Sequence, residues 1–167
     1  LDISNQADVR HAVQKANPDV VVNAAAWTDV VGAETQEAKA NLVNATGPLN
    51  LAIACRESAA RLIHISSDYV FSGNSQIAWL ESANPEPASA YGRSKALGEK
   101  LIKETYPSGS YIIRTAWLYS HWGENFVKKM LRASLDGTNE IKVVNDQIGQ
   151  PTSASDLSSQ ILEMITG

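Results

Sequence analysis

Tyr91 and Lys95 stand four residues apart in Tyr91-Gly92-Arg93-Ser94-Lys95. On a helix that spacing puts both side chains on one face, one turn apart. A free Tyr ionises at about pH 10, and a cation held beside it favours the phenolate. Such a pair can give or take a proton near neutral pH. A solvated helix face can carry the same spacing, so the pair needs company. It has company upstream, where Leu62, Ile63 and Ile65 read as a short buried strand that ends in the hydroxyls of Ser66 and Ser67. Open parallel sheets bind ligands at the carboxyl ends of their strands. A Ser, a Tyr and a Lys converging there suit carbonyl chemistry. Ser67 would hydrogen-bond the carbonyl oxygen and Tyr91 would protonate it. Lys95 would tune Tyr91 and hold a hydroxyl of a bound cofactor.

Those residues need a scaffold of alternating helices and strands. Val9, Ala12 and Val13 mark a first helix, with Ser4 or Asn5 to cap it and Asn17-Pro18 to stop it. Residues 19–26 read as a buried strand on Val20, Val21 and Val22, ending in the small residues Ala24, Ala25 and Ala26. Small residues there allow close approach of a flat ligand, or tight packing of a helix. Residues 33–58 are helix-rich. Pro48 lacks an N–H for the carbonyl four residues back, which predicts a break at Gly47-Pro48 or a kink at Asn44. Asn44 could equally serve to satisfy such a kink. Residues 73–89 form a long connection kept extended by Pro85 and Pro87, and connections of this length are often functional. Ser89 can cap the helix that carries Tyr91 and Lys95, with Leu97 and Leu101 expected on its core face. Residues 110–116 read as another buried strand through Tyr111, Ile112 and Ile113. An amphipathic helix follows on Asn125, Phe126, Val127, Met130 and Leu131, ended by Asp136-Gly137. A strand is expected over 141–144, and a last helix opens at Ser155-Asp156 and runs through Ile161, Leu162 and Ile165.

Composition sets the class. The chain has 167 residues, of which 44% are hydrophobic and 19% charged, so it can build a core and is neither disordered nor fibrous. A net charge of −4 without a basic cluster argues against nucleic acid and anionic membrane surfaces. No signal peptide and no apolar run of membrane-spanning length is seen. Cys55 is the single cysteine, in an apolar helical stretch; no disulfide framework is available, which suits a reducing cytoplasm. His11, His64 and His121 are scattered, and no transition-metal site is expected. The chain opens on Leu1 without a Met, which points to a piece of a longer product.

Four motifs in order carry a resemblance. Ser66-Ser67-Asp68-Tyr69-Val70-Phe71-Ser72-Gly73 is similar to the S-T-D-Y-V-F-D-G signature of the dTDP-4-dehydrorhamnose reductases, in the extended short-chain dehydrogenase/reductase superfamily. Ser67 keeps the hydroxyl of the usual Thr, while Ser72 replaces an Asp. Residues 23–34 resemble N-A-A-x-T-x-V-D-x-A-E, with Val31 and Gly32 in place of the family's Asp and its neighbour. Arg114-Thr115-Ala116-Trp117-Leu118-Tyr119 resembles R-T-S-W-V-Y, and residues 146–152 match D-Q-x-G-x-P-T. The glycine-rich turn that cradles a dinucleotide pyrophosphate does not occur in this sequence.

The resemblance implies an α/β fold: a Rossmann-like doubly wound parallel sheet, incomplete, without the first βαβ turn and most of the C-terminal substrate domain. It implies one NAD(P)-binding domain piece over 1–167, with the substrate-binding part starting near 145–167. The implied reaction is NADPH- or NADH-dependent reduction of the C4 keto group of dTDP-4-dehydro-6-deoxy-L-mannose to dTDP-L-rhamnose, in the cytoplasm. The alternatives are a non-catalytic regulatory or binding relative, or another extended-type nucleotide-sugar reductase or epimerase. Ser67, Tyr91 and Lys95 would be catalytic. Asp2, Ile3, Asn23, Ala24, Ala25, Ala26 and Asn44 would join Tyr91 and Lys95 around the cofactor. Thr28, Val30, Ser67, Asp68, Tyr69 and Trp117 would meet the dTDP-linked keto sugar. No nucleic acid, membrane or metal is implied, and a homodimer stays open for a full-length protein.

Overall fold

In the computed structural model, residues 1–137 and 140–166 are described. The chain forms two compact units, Leu1–Arg114 and Thr115–Gly167; Gly167 itself lies outside the described residues.

The first unit begins with α1 (Gln6–Ala16), capped by Asn5, whose side chain accepts from the backbone N–H of Ala7 and Asp8. Asn17 ends it in the left-handed region at φ 42°, a conformation Asn tolerates better than most residues. β1 (Val20–Asn23) follows and is shorter than the sequence suggests. The chain after Asn23 leaves the ladder, and Ala24 and Ala25 lie exposed. Then come α2 (Val30–Thr35), α3 (Glu37–Asn41), a π-helical turn (Leu42–Thr46) and α4 (Gly47–Glu57). The π turn is how the chain absorbs Pro48. The proline sits in the first turn of α4, where its missing N–H costs nothing. The wider turn before it carries the bend expected at Asn44.

β2 (Arg61–Ser67) pairs in parallel with β1, Asn23 opposite His64, and lies between β1 and β3 (Ser110–Thr115) in the sheet. A 3₁₀ turn (Asp68–Val70) caps its carboxyl end. After the long connection, Ser89 caps α5 (Ala90–Thr105) by accepting from Gly92 N–H. The core gathers Val9, Val13, Leu51, Cys55, Leu62 and Ile102 between α1, α4, α5 and the sheet. Alternating helices and parallel strands give the Rossmann-like α/β architecture expected from the sequence.

Several local expectations are corrected. The buried face of α5 is Ser94, Lys95, Gly98, Glu99 and Ile102; Leu97 is 39% exposed. A reading based on apolar residues picks the wrong phase, because this face is largely polar. β3 is only half-buried, with Tyr111 46% exposed.

The second unit holds β4 (Leu118–Tyr119), α6 (Phe126–Leu135), β5 (Thr152–Ser153) and α7 (Ala154–Thr166). β4 and β5 pair in parallel. Residues 141–144 form no strand: their Val-rich stretch finds no partner strand to bond with. No described helix is long and apolar enough to cross a membrane.

Candidate active site

Ser67 ends β2, 8% exposed. Its Oγ accepts from Tyr69 N–H at 3.2 Å and donates to Asp68 Oδ1 at 3.0 Å. Tyr91, in the first turn of α5, packs edge-on against Tyr69, with ring centroids 5.4 Å apart. The close approach depends on Gly92, where a Cβ would run into the Tyr69 carbonyl oxygen. Burial raises the Tyr91 pKa, the Ser67 side chain beside it pulls the other way, and Asp68 and Tyr69 add to the rise. Ser67 and Tyr91 are both joined to the 3₁₀ turn between them: Ser67 Oγ accepts from Tyr69 N–H, and the Tyr69 ring packs on Tyr91.

Lys95 is placed differently from the expectation. It lies one turn on from Tyr91 and is 2% exposed, but its ammonium donates to Ile65 O at 2.7 Å and sits 3.4 Å from His64 Nε2. Burial lowers its pKa to about 8, with Glu99 opposing. Burial is the largest influence on the Tyr91 phenol and raises its pKa, while the Lys95 ammonium bonds to β2.

The residues expected at the cofactor divide into two groups. Ala24 and Ala25 are exposed and Ala26 half-buried, just past the carboxyl end of β1. Asp2 is exposed, its carboxylate held by the N–H and hydroxyl of Ser4 at 2.9 and 2.7 Å. Ile3, Asn23 and Asn44 instead turn inward. Ile3 is a core residue. Asn23 accepts from Ala25 N–H and donates to His64 Nδ1. Asn44, fully buried, accepts from Trp27 N–H and donates to Trp27 O and Ser94 Oγ. It ties the loop after β1 to α5. Among the expected sugar contacts, Thr28 is exposed, Val30 opens α2, and Asp68 and Tyr69 lie in the 3₁₀ turn. Trp117 belongs to the second unit, 44% exposed at φ 46°, its ring against Gly149.

The residues present fit a nicotinamide cofactor. Ala24 and Ala25 offer small, exposed side chains just past the carboxyl end of β1, and the Tyr91 hydroxyl is of a type that can bond a ribose. No described group of three or more His, Cys, Asp or Glu could hold a metal.

Sequence reasoning missed two supporting groups. His64 is fully buried in β2 and linked to both Asn23 and Lys95. Its signal was a polar residue inside the apolar run 62–65. Glu99 is 1% exposed, accepts from Ser66 Oγ at 2.7 Å, and takes both arms of Arg114 at 2.9 and 2.7 Å. Burial pushes the Glu99 pKa up, but the bonds from Arg114 and Ser66 outweigh it and hold it below the usual range. Arg114 also stacks over Phe71, which stacks on Trp79, and donates to the carbonyls of Glu81 and Ala83. One buried ion pair thus anchors the end of β2, α5, β3 and the long connection.

A family model described as the RmlD substrate binding domain matches residues 1–167. The chain is 45% identical over 99% of its length to a dTDP-4-keto-6-deoxy-D-glucose reductase of Streptomyces niveus, covering 57% of that protein. It is 46% identical over 96% of its length to a dTDP-4-dehydrorhamnose reductase of Streptomyces griseus, covering 53%. The crystal structure of a dTDP-4-dehydrorhamnose reductase from Bacillus anthracis in complex with NADP superposes on the whole chain. It does so with a TM-score of 0.95 at 41% identity, over 59% of that structure. The chain spans about half the length of the curated relatives it matches.

Proposed function

The chain belongs to the RmlD substrate-binding-domain family, and from that premise we propose that it carries the catalytic centre of a nucleotide-sugar ketoreductase. The substrate we assign is dTDP-4-dehydro-6-deoxy-L-mannose, reduced at C4 to dTDP-L-rhamnose. The cofactor is NADPH or NADH, which when bound supplies the hydride. The observation that carries this reading is that Ser67, at the carboxyl end of β2, accepts from Tyr69 N–H while the Tyr69 ring packs edge-on against Tyr91, with Lys95 one turn along α5 bonded to the Ile65 carbonyl.

Each residue has a physical task. Ser67 presents a hydroxyl that orients the carbonyl oxygen. Tyr91 is held in the phenol form by burial, which is the form able to give a proton to that oxygen as negative charge develops on it. Lys95 would hold a ribose hydroxyl of the bound cofactor with a donor other than the one it gives to Ile65 O, and burial has brought its pKa to about 8. Tyr69 packs on Tyr91 and fixes its ring. The single unpaired Cys55 suits the cytoplasm.

A second reading changes the sugar, and the identity to a reductase of dTDP-4-keto-6-deoxy-D-glucose favours it. The proton chemistry is the same in both, so the two sugars are compared as substrates. The deciding experiment is Tyr91→Phe in the protein that carries this chain. Phe keeps the ring and its packing and removes the proton donor. Turnover, followed by loss of nicotinamide absorbance, should fall about 10²–10⁴-fold with cofactor affinity nearly unchanged. Near-normal turnover would exclude Tyr91 as the acid.

A further inference from the structure

His64 sits in the middle of β2 with no contact to solvent, and the proposed chemistry gives it no task. Its surroundings nonetheless determine where its proton lies. Asn23 Oδ1 accepts from Ala25 N–H at 3.1 Å, which fixes the orientation of the amide. Asn23 Nδ2 therefore faces His64 Nδ1, 2.9 Å away. Nδ2 can only donate, so Nδ1 must accept, and a neutral imidazole then carries its proton on Nε2. Nε2 points at Lys95 Nζ across 3.4 Å.

Across that gap, an ammonium would set one donor against another. A neutral amine would accept the Nε2–H while still donating to Ile65 O, 2.7 Å away. We propose that Asn23 and His64 form a tautomer lock under the candidate active site, in which Asn23 keeps the His64 proton on Nε2 and His64, as a positioning residue, stabilises Lys95 as the amine. The other groups around Lys95 are Tyr91 one turn before it and Glu99 one turn after it on α5. Glu99 favours the ammonium, but its carboxylate is already shared between Ser66 and Arg114. Burial acts in the same direction as the lock on Lys95, and holds the imidazole neutral with a pKa near 3.

The consequence rests on the ketoreductase reading. When Tyr91 gives its proton to the carbonyl oxygen, a phenolate is left. The lock acts on Lys95, one helical turn along α5 from that phenolate: the amine is the form His64 receives with a hydrogen bond. The lock thus biases Lys95 from a fixed charge toward a neutral amine.

The test does not depend on turnover. In the unmodified protein, two-bond ¹H–¹⁵N correlations of the imidazole ring report which nitrogen is protonated; Nε2–H is expected, and Nδ1–H would overturn the lock. Lys95 is then titrated through its side-chain ¹³Cε shift. His64→Gln can turn a carbonyl oxygen toward Nζ, and Asn23→Asp can accept from Nδ1–H and so move the ring proton off Nε2. Each should raise the Lys95 midpoint by about one pH unit or more. An unchanged midpoint in both folded variants would also refute the proposal. Should either variant fail to fold, the tautomer of the unmodified protein still decides. An Nδ1–H ring together with a Tyr91→Phe protein that has lost turnover would remove the lock and leave the ketoreductase standing.

Discussion

Helices α5 and α6 are opposites. α6 carries a clean apolar stripe, yet Phe126, Val127, Leu131 and Leu135 are all more than half exposed and none of its residues is buried. α5 has a weaker stripe and buries seven residues, among them Lys95 and Glu99. Periodicity therefore does not decide burial here. Partners do: α5 packs on α3, the π turn, α4 and the 3₁₀ turn, and each polar side chain on its buried face has an assigned bond. A buried charge is tolerable when paired and costly when its partner is removed, so the contrast can be tested by mutation.

The largest effect should come from Glu99→Ala. It leaves Arg114, only 14% exposed at its side chain, without its carboxylate. A loss of about 3–5 kcal/mol in urea unfolding is expected; a loss below about 1 kcal/mol would mean that the pair does not hold the face together. The pH dependence comes next. His64 has a folded pKa of about 3 against the ordinary 6.5 of a histidine, so the unfolded chain binds the extra proton between those values. Stability should rise with pH across that window, by up to about 1.4 kcal/mol per pH unit. Lys95, about 8 against 10.5, gives a second rise at alkaline pH by the same sign, since its buried ammonium is unfavourable and disappears first in the folded state. His64→Gln should flatten the acid window and, by raising the Lys95 midpoint, shrink the alkaline rise, as read from midpoint denaturant concentrations over pH. Gly98→Ala is smaller. A Cβ there would strike the Asn44 carbonyl oxygen, and overpacking of this kind costs about 1–3 kcal/mol. Smallest is Leu131→Ala on α6, expected within about 0.5 kcal/mol. A loss above 2 kcal/mol would show that α6 is covered after all, and the contrast between the helices would collapse.

The same pair of helices marks what the sequence makes legible. Ser67, Tyr91 and Lys95 stand out because two hydroxyls close an apolar run and a Tyr–Lys pair follows a capping Ser89. The alternation of helices and strands is visible through Val20–Val22 and Leu62–Ile65. The phase of α5 is not, because its inner face is built from Ser94, Lys95, Gly98 and Glu99, residues that a hydrophobicity reading sends outward. His64 escapes for a related reason. A lone His in a strand shows its role only when Asn23 of the neighbouring strand is seen in register beside it, and register is not written along one stretch of chain. Residues 141–144 are the converse case: a β-prone string whose ladder needs a partner strand that local composition does not supply.

The π turn over Leu42–Thr46 holds one residue more than an α-helical turn of the same height. Removing that residue would let α3 and α4 run on as one ordinary helix, and everything on one side would rotate by about 100° relative to the other. Asn44 would leave Trp27 and Ser94, and the carbonyl facing Gly98 would point elsewhere. In the language of genes, an in-frame three-base deletion at this spot is a graver event than most single-base changes within it. The turn is a punctuation mark whose loss alters the meaning of the clauses on both sides.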